Sequence, residues 1–239
     1  MACNIGVANA IGFKQNKTET IETKVKKALI LCYNIKKQGA TNENMASNPY
    51  LIDLSGNGHN AIVNNLDWTE ECGIDMTTHP YSLVIAKGEG NGESKDKLRN
   101  IFAEGLPLID DYTIIVNRET DSSQYGKTGF PCYKGGIVGG SGGNQVFGFE
   151  EHGLATIGSS SFGLSTVTSL RSSGYSYQTK NSYNGTYISS GKAVDVIGDF
   201  KVCFHTNMYN YKCIMYSMAL FNRSLTKEEI DWAINNILE

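Results

Sequence analysis

The amino-acid sequence predicts an all-β chain, a sandwich of two antiparallel sheets with a short α-helix at its C-terminal end. Three observations lead there. Glycine is abundant at 26 residues, proline scarce at 4, and tyrosine outnumbers phenylalanine 13 to 9, a composition that suits short strands joined by tight turns. Short apolar or alternating segments recur along the chain, separated by glycine, asparagine and aspartate clusters, with no helical period between them. Only the last residues carry a strong helix signature. Thr226 and Glu229 make a T-x-x-E capping box, Leu225 and Ile230 stand where a hydrophobic staple requires them, and Ile230, Ala233, Ile234, Ile237 and Leu238 form one apolar stripe.

Residues 1–20 are polar and mixed in charge, and read as an arm that docks to a partner chain or to another copy of the protein. Residues 21–239 form the domain. With 239 residues, 40% of them hydrophobic, the chain can bury one core without disulfides or a metal. Ile21, Thr23 and Val25 alternate with Glu22, Lys24 and Lys26, the pattern of a half-buried strand. Residues 28–33 follow as a more fully apolar strand. Further strands are expected at 81–86, 112–117, 136–138, 145–149, 164–170, 173–179, 193–197, 201–205 and 211–221. The closing helix is expected to cover a sheet edge or one end of the core.

Charge and targeting signals narrow the function. A net charge of −3, with no basic block beyond Lys24, Lys26 and Lys27, argues against nucleic acid as a partner. No apolar run reaches the length that crosses a bilayer, so no membrane partner is expected. Residues 1–27 hold no apolar signal-peptide core, so the chain as it stands is not expected on the secretory route, a signal removed earlier being the alternative. Cys3 lacks the apolar segment that precedes a lipid-attachment cysteine.

No cofactor or metal is expected. The six cysteines (Cys3, Cys32, Cys72, Cys132, Cys203, Cys213) include no C-x-x-C pair, and His59, His79, His152 and His205 follow no ligand spacing. A hairpin turning at 207–210 would bring Cys203 and Cys213 opposite each other, bonded or as reduced neighbours; the reduced form is favoured. The glycine runs at 88–92 and 135–143 open no helix and lack the lysine of a phosphate-binding loop, so they read as turns.

Two segments carry a family resemblance. NPYLIDLSGNGHNAIVNNLDW (48–68) and IMYSMALFNRSLTKEEIDWAINNIL (214–238) resemble the most recognisable stretches of LamG-like domains in the concanavalin A-like lectin and glucanase superfamily. With a D-Y-T strand at 111–113, the resemblance anchors residues 28–239, loosely so across 88–191. It implies a concanavalin A-like jelly-roll sandwich, of the kind seen in gut bacteria and their tailed phages. Within the first motif, Asp53, Asn57 and Asn60 are open to a calcium or sugar site. A structural turn is the favoured reading, because Asp53 and Ser55 accept backbone N–H groups and Gly56 and Gly58 supply positive φ.

Catalysis in that superfamily uses carboxylates spaced E-x-D-x-x-E or E-x-D-x-E on one strand, and this chain contains neither pattern. Glu150 and Glu151 are adjacent and would face opposite ways, Glu228, Glu229 and Asp231 lie on the closing helix, and Asp110 and Asp111 precede a strand. The expectation is a protein without enzymatic activity. Residues 172–191 are rich in tyrosine, serine, glycine and asparagine, a composition that suits recognition: rings stack on sugars or proteins while amides adapt their hydrogen bonds. Tyr175, Tyr177, Asn181, Tyr183, Asn184 and Tyr187 are the candidate ligand-binding residues, the alternative being the solvent face of ordinary strands. Together these readings predict a lectin-like module binding a surface glycan or protein receptor, carried on a phage virion (head fibre, decoration or tail protein) and assembled in the cytoplasm. A purely structural capsid or tail part, or a bacterial cell-surface or secreted glycan-binding protein, are the alternatives.

Overall fold

The computed structural model describes residues 19–85, 100–103, 105–107, 109–120, 145–149, 153–157, 174–179, 182–183, 186–187, 200–203 and 213–239. Chain order runs through helix α1 (Ile21–Ala28), strand β1 (Leu29–Asn34), the short helices α2 (Ile35–Gln38) and α3 (Asn42–Ser47), then β2 (Tyr50–Leu51), β3 (Ala61–Asn64), β4 (Gly73–Asp75), β5 (Ser82–Ile85), β6 (Asn100–Ala103) and β7 (Thr113–Thr120). It continues through β8 (Gln145–Phe149), β9 (Gly153–Ile157), β10 (Gly174–Thr179), β11 (Ser182–Tyr183), β12 (Thr186–Tyr187), β13 (Phe200–Cys203) and β14 (Cys213–Phe221) to α4 (Lys227–Ala233), which extends into a π-helical turn, Ile234–Leu238. The strands expected at 136–138, 164–170 and 193–197, His205, both glycine runs and the arm up to residue 18 lie outside the described residues.

Two antiparallel sheets make the sandwich. The long one has the order β12-β11-β10-β7-β14-β5-β4 with β1 also on β14, and the short one has the order β13-β6-β3-β2; β8 and β9 pair separately. Between the sheets lies the main core, where Leu31, Tyr33, Leu51, Val63, Ile101, Ile114, Val116, Met218 and Leu220 meet. Neighbours of these residues point the other way. Cys32, Ile115, Ala219 and Phe221 form a second core with Val25 and Ala28 of α1 and Leu225, Ile230, Ala233 and Leu238 from the closing helix region. This is the period of two expressed on both faces, and it explains why β7 and β14 read as nearly unbroken apolar runs.

Here three expectations are corrected. Residues 21–26 are helix and not strand. Ile21, Val25 and Ala28 also fit helical spacing, and Thr20 decides the matter by accepting the Thr23 N–H at 3.2 Å, helped by the Lys26–Glu22 pair at 2.6 Å. The closing helix covers neither an edge nor an end of the sandwich. It lies on the outer face of the long sheet over Ala219 and Phe221, while Leu220 faces the inter-sheet core. Nor do β13 and β14 form a hairpin: Cys203 is paired to Asn100 in the short sheet and Cys213 to Ile85 and Thr120 in the long one. β13 and β14 belong to different sheets, so the two cysteines do not stand opposite each other on adjacent strands.

The closing helix is held by the residues its sequence advertises. Thr226 and Glu229 exchange both capping-box hydrogen bonds, and Arg223 grips the Glu229 carboxylate with two nitrogens, each at 2.8 Å. The preceding turn is fastened to β7: the Thr113 hydroxyl donates to the Arg223 carbonyl at 2.9 Å and accepts the Leu225 N–H at 2.8 Å, while Ser224 donates to Asp111 at 2.5 Å. The 111–113 and 221–226 motifs thus touch directly.

Asp53 closes the other end of the fold. Buried to 7% exposure, its carboxylate accepts the N–H groups of Cys32 (2.9 Å), Ser55 (2.9 Å) and His59 (3.0 Å) and lies 2.8 Å from the Ser55 hydroxyl, while Asn60 accepts the Asp53 N–H at 2.8 Å. Asn57 reaches across to the carbonyls of Leu29 and Ile30. The D-x-S-G-N-G segment is therefore a clasp on β1 whose acceptor positions are already filled, as the turn reading requires.

Two amide side chains finish the sheet edges. Gln38 donates to the Tyr50 carbonyl at 2.8 Å and accepts the Ile52 N–H at 3.0 Å, taking the place of a strand beside β2. Asn42 does the same at β4, with Ile74 O at 2.8 Å and Ile74 N at 2.7 Å. This contact makes Gly73 indispensable, because a Cβ there would sit 2.4 Å from the Asn42 oxygen and 2.7 Å from the Thr69 carbonyl.

Asp53→Ala strands several buried N–H groups at once and is expected to lower stability by about 3 kcal/mol in urea titrations, from about 1–3 kcal/mol for each buried donor left unmade. A second expectation concerns acid. The paired guanidinium of Arg223, outweighing burial, holds the Glu229 carboxyl at about 2, below its ordinary 4.5. The folded state therefore gains stability from this group above pH 4.5 and loses it as pH falls from there towards 2. Glu229→Gln should flatten that part of the stability-against-pH curve.

Candidate functional site

The closing helix covers only part of the outer face. One row across the long sheet is apolar and lies beneath it: Cys32 beside Ala219, Ala219 beside Ile115, Ile115 beside Tyr177. The next row on the same face is polar, with Asn34 beside Ser217, Ser217 beside Asn117 and Asn117 beside Tyr175. Here the helix stops. Asn34 and Lys37 donate to the carbonyls of Leu238 and Ile237, both at 2.8 Å, and satisfy its last turn. Beyond it opens a cleft of about 360 Å³ whose walls include Lys36, Tyr81, Asn117, Tyr175 and Tyr216.

Tyr216 reaches the cleft because β14 is bulged. Met215 pairs with Arg118 and Ser217 with Asn117, so Tyr216 is an extra residue between consecutive pairs. Its hydroxyl donates to Glu119 at 2.6 Å. The other Glu119 oxygen stands 3.2 Å from His79 Nδ1. Burial first, and then the bond to Glu119, push the Tyr216 hydroxyl well above the ordinary phenol range. Burial likewise raises Tyr175, against the opposing pull of the Ser217 and Asn117 side chains.

Tyr81 comes from the turn between β4 and β5. Asp75 organises that turn by accepting the N–H groups of Thr77 (2.8 Å), Thr78 (2.9 Å) and His79 (3.0 Å). Burial alone would raise the Asp75 carboxyl; these bonds together hold it below the usual range. Tyr81 itself has φ of 62° and is 44% exposed, and the Lys36 ammonium lies 5.5 Å from its ring centroid. A bulky side chain in the left-handed region costs on the order of 1–3 kcal/mol, and such strain clusters at functional sites; Trp68 shares the conformation (φ 56°) but packs against the main core, whereas Tyr81 is exposed.

A second groove, about 410 Å³, runs between α1 and α4, but no ring lines it, and four of the five charged side chains that line it are matched to each other, Arg223 to Glu229 and Lys27 to Glu19, with Lys24 the fifth. The cleft beyond the helix is the better site.

Of the residues singled out in the sequence, Tyr175 lines the cleft. Tyr177 stands in the adjacent row and, like Tyr175, is half-buried against the closing-helix cluster. Tyr183 and Tyr187 belong to β11 and β12, at the far edge of the long sheet, and Asn181 and Asn184 lie outside the described residues. Sequence reasoning missed Tyr81, Asn117, Tyr216 and Lys36. The structure puts Met215 and Met218, three positions apart, in the same inter-sheet core, a phase change that strict alternation along the expected strand does not predict.

No family model and no curated protein matches the chain. Among solved structures, one described as a receptor binding domain aligns over 92% of this chain and 54% of its own, at 13% identity and a TM-score of 0.51. A botulinum neurotoxin type C, described as interacting with two ganglioside molecules, aligns over 91% of this chain and 53% of its own, at 13% identity and a TM-score of 0.49. The binding domain of botulinum neurotoxin DC, in complex with rat synaptotagmin II, aligns over 88% and 52%, at 15% identity and a TM-score of 0.49. The chain spans about half the length of the structures it matches. At such identity the likeness to the receptor binding domain is one of fold, an antiparallel β-sandwich shared across most of this chain.

The two tyrosines at 81 and 177 should respond oppositely to truncation. Tyr81→Gly relieves a left-handed backbone and should leave stability unchanged or raise it by up to about 1 kcal/mol. Tyr177→Ala uncovers Ile115 and the helix, and should lower stability by about 1 kcal/mol or more in the same denaturant titration.

Proposed function

We propose that the chain is a non-catalytic carbohydrate-binding module whose site is the cleft beyond the closing helix. The observation that carries this is Tyr81, an exposed ring held in strained backbone at a cleft that already contains Tyr175, Tyr216 and the Asn117 amide. A pyranose has an apolar face of C–H groups and a rim of hydroxyls. Rings take the face and amides take the rim. The proposal extends to this chain, as a reading only, the receptor binding of the domain that shares its fold.

A non-enzymatic role is supported by how the carboxylates are used. Asp53 and Asp75 gather backbone N–H groups, Glu229 holds Arg223 and the helix cap, and Glu119 is engaged by Tyr216 and His79. None of these forms a pair flanking an open cleft, as acid and nucleophile would.

The finer part of the proposal is a LamG-like, concanavalin A-like jelly roll displayed on a phage virion, assembled in the cytoplasm and docked to other virion proteins through residues 1–20. The motifs at 48–68 and 214–238 support it. Carriage on a bacterial cell surface or secretion is the alternative setting. An assembly part without a sugar ligand is the second reading, favoured by the exposed side chains of Tyr50, Ile52 and Leu54 beside the edge of the short sheet.

A glycan array probed with the folded chain tests the proposal. Tyr81→Ala and Asn117→Ala should each weaken binding by about fivefold or more, about 1 kcal/mol, with the melting temperature little changed. Undiminished binding by both variants would remove the cleft as the site.

A further inference from the structure

Resting on the carbohydrate reading of the cleft, we propose that Glu119 makes the site selective for neutral, hydroxyl-bearing ligands and turns away those whose contacting group is a carboxylate, sulfate or phosphate. Glu119 touches no ligand in this proposal. It acts through Tyr216 and is a positioning residue that sets specificity.

The first argument is hydrogen-bond polarity. The Tyr216 hydroxyl has one proton, and that proton is given to Glu119 at 2.6 Å. Towards any further partner the phenol oxygen can only accept. A sugar hydroxyl can donate to it, whereas a carboxylate, sulfate or phosphate has nothing to donate.

The second argument is charge. Glu119 places a carboxylate directly behind a cleft wall, and Asp75 adds to the negative surroundings of Tyr216; both hold its proton in place. At the rim, Lys36 and Glu239 bring opposite signs, and Lys36 lies over the Tyr81 ring. His79 Nδ1 stands 3.2 Å from the second Glu119 oxygen and helps fix the carboxylate behind the wall.

The test uses the full chain at pH 8 on an array of matched oligosaccharide pairs, each neutral member printed beside a counterpart carrying a uronic acid or a sulfate. Wild type should bind neutral members about tenfold more tightly than their acidic counterparts, the scale of one partly screened charge. Glu119→Gln should bring that ratio to within about threefold, and Tyr81→Ala should weaken both members. A wild type that binds acidic counterparts equally or better, or a ratio unmoved by Glu119→Gln, overturns the proposal and leaves the cleft standing. Absence of any glycan binding, or binding indifferent to Tyr81→Ala, overturns the cleft reading and this proposal with it. If Glu119→Gln does not fold, the wild-type ratio still decides. Tyr216→Phe then adds a second readout, because deleting the acceptor should weaken neutral ligands and spare acidic ones.

Discussion

Leu220 and Phe221 are consecutive, fully buried, and point to opposite sides of the same strand. A strand that is apolar on both faces cannot stand at the surface of a sheet packed on one side only. β14 must have a second sheet against Leu220, Met218 and Met215, and something else against Phe221 and Ala219. The sequence answers the second demand locally: seven positions after Phe221 stands Glu228, already inside a capped amphipathic helix that folds back on the strand it follows. α1, which precedes β1 on the same side, completes the cover with Val25 and Ala28. The three layers follow from one strand.

The same requirement locates the site. Helical cover lasts only as long as the outer face is apolar, and that face changes from Cys32, Ala219 and Ile115 to Asn34, Ser217 and Asn117 within one row of the sheet. A helix that continued over the second row would bury the half-exposed Asn117 amide against its own apolar stripe, at a cost of about 1–3 kcal/mol. Instead its last carbonyls are taken by Asn34 and Lys37, and Asn117 and Tyr175 at the far end of the polar row are left lining a cleft.

How much of this is legible in sequence follows from the range of the forces involved. β1, β7, β10, β14 and the closing helix were readable because each is specified by its own apolar pattern or by a cap four residues long. Helix α1 was misread because Ile21 and Val25 satisfy two periods at once, and Thr20 settles the choice through a single hydrogen bond. α2, α3, β4 and β6 are short, and they depend on distant partners such as Gln38 at Tyr50 and Asn42 at Ile74. The tyrosine-rich segment attracted the site assignment through composition. Composition does not say how far along a sheet face the covering helix reaches, and so it ranks Tyr175 and Tyr177 together although only Tyr175 lines the cleft.

Tyr216 shows why the site and the core are one problem. If β14 alternated strictly back from Leu220 and Met218, Tyr216 would point into the inter-sheet core and Met215 towards the outer face. That arrangement would bury a phenol hydroxyl among Leu83, Ile114 and Val116 and leave a buried-type thioether outside. The extra residue between the Met215 and Ser217 pairings reverses the phase. Met215 then enters the core, and Tyr216 is carried out to Glu119 and the cleft. The bulge is therefore selected by packing, whatever binds beside it, and the ring it presents comes at no further cost in register. Tyr81 is different: its ring is exposed on a left-handed backbone, and the interaction that gives the ring a place is the approach of Lys36 at the edge of the same cleft. A strained, exposed ring beside a ring carried out by a bulge is the strongest physical ground for reading this part of the surface as a site.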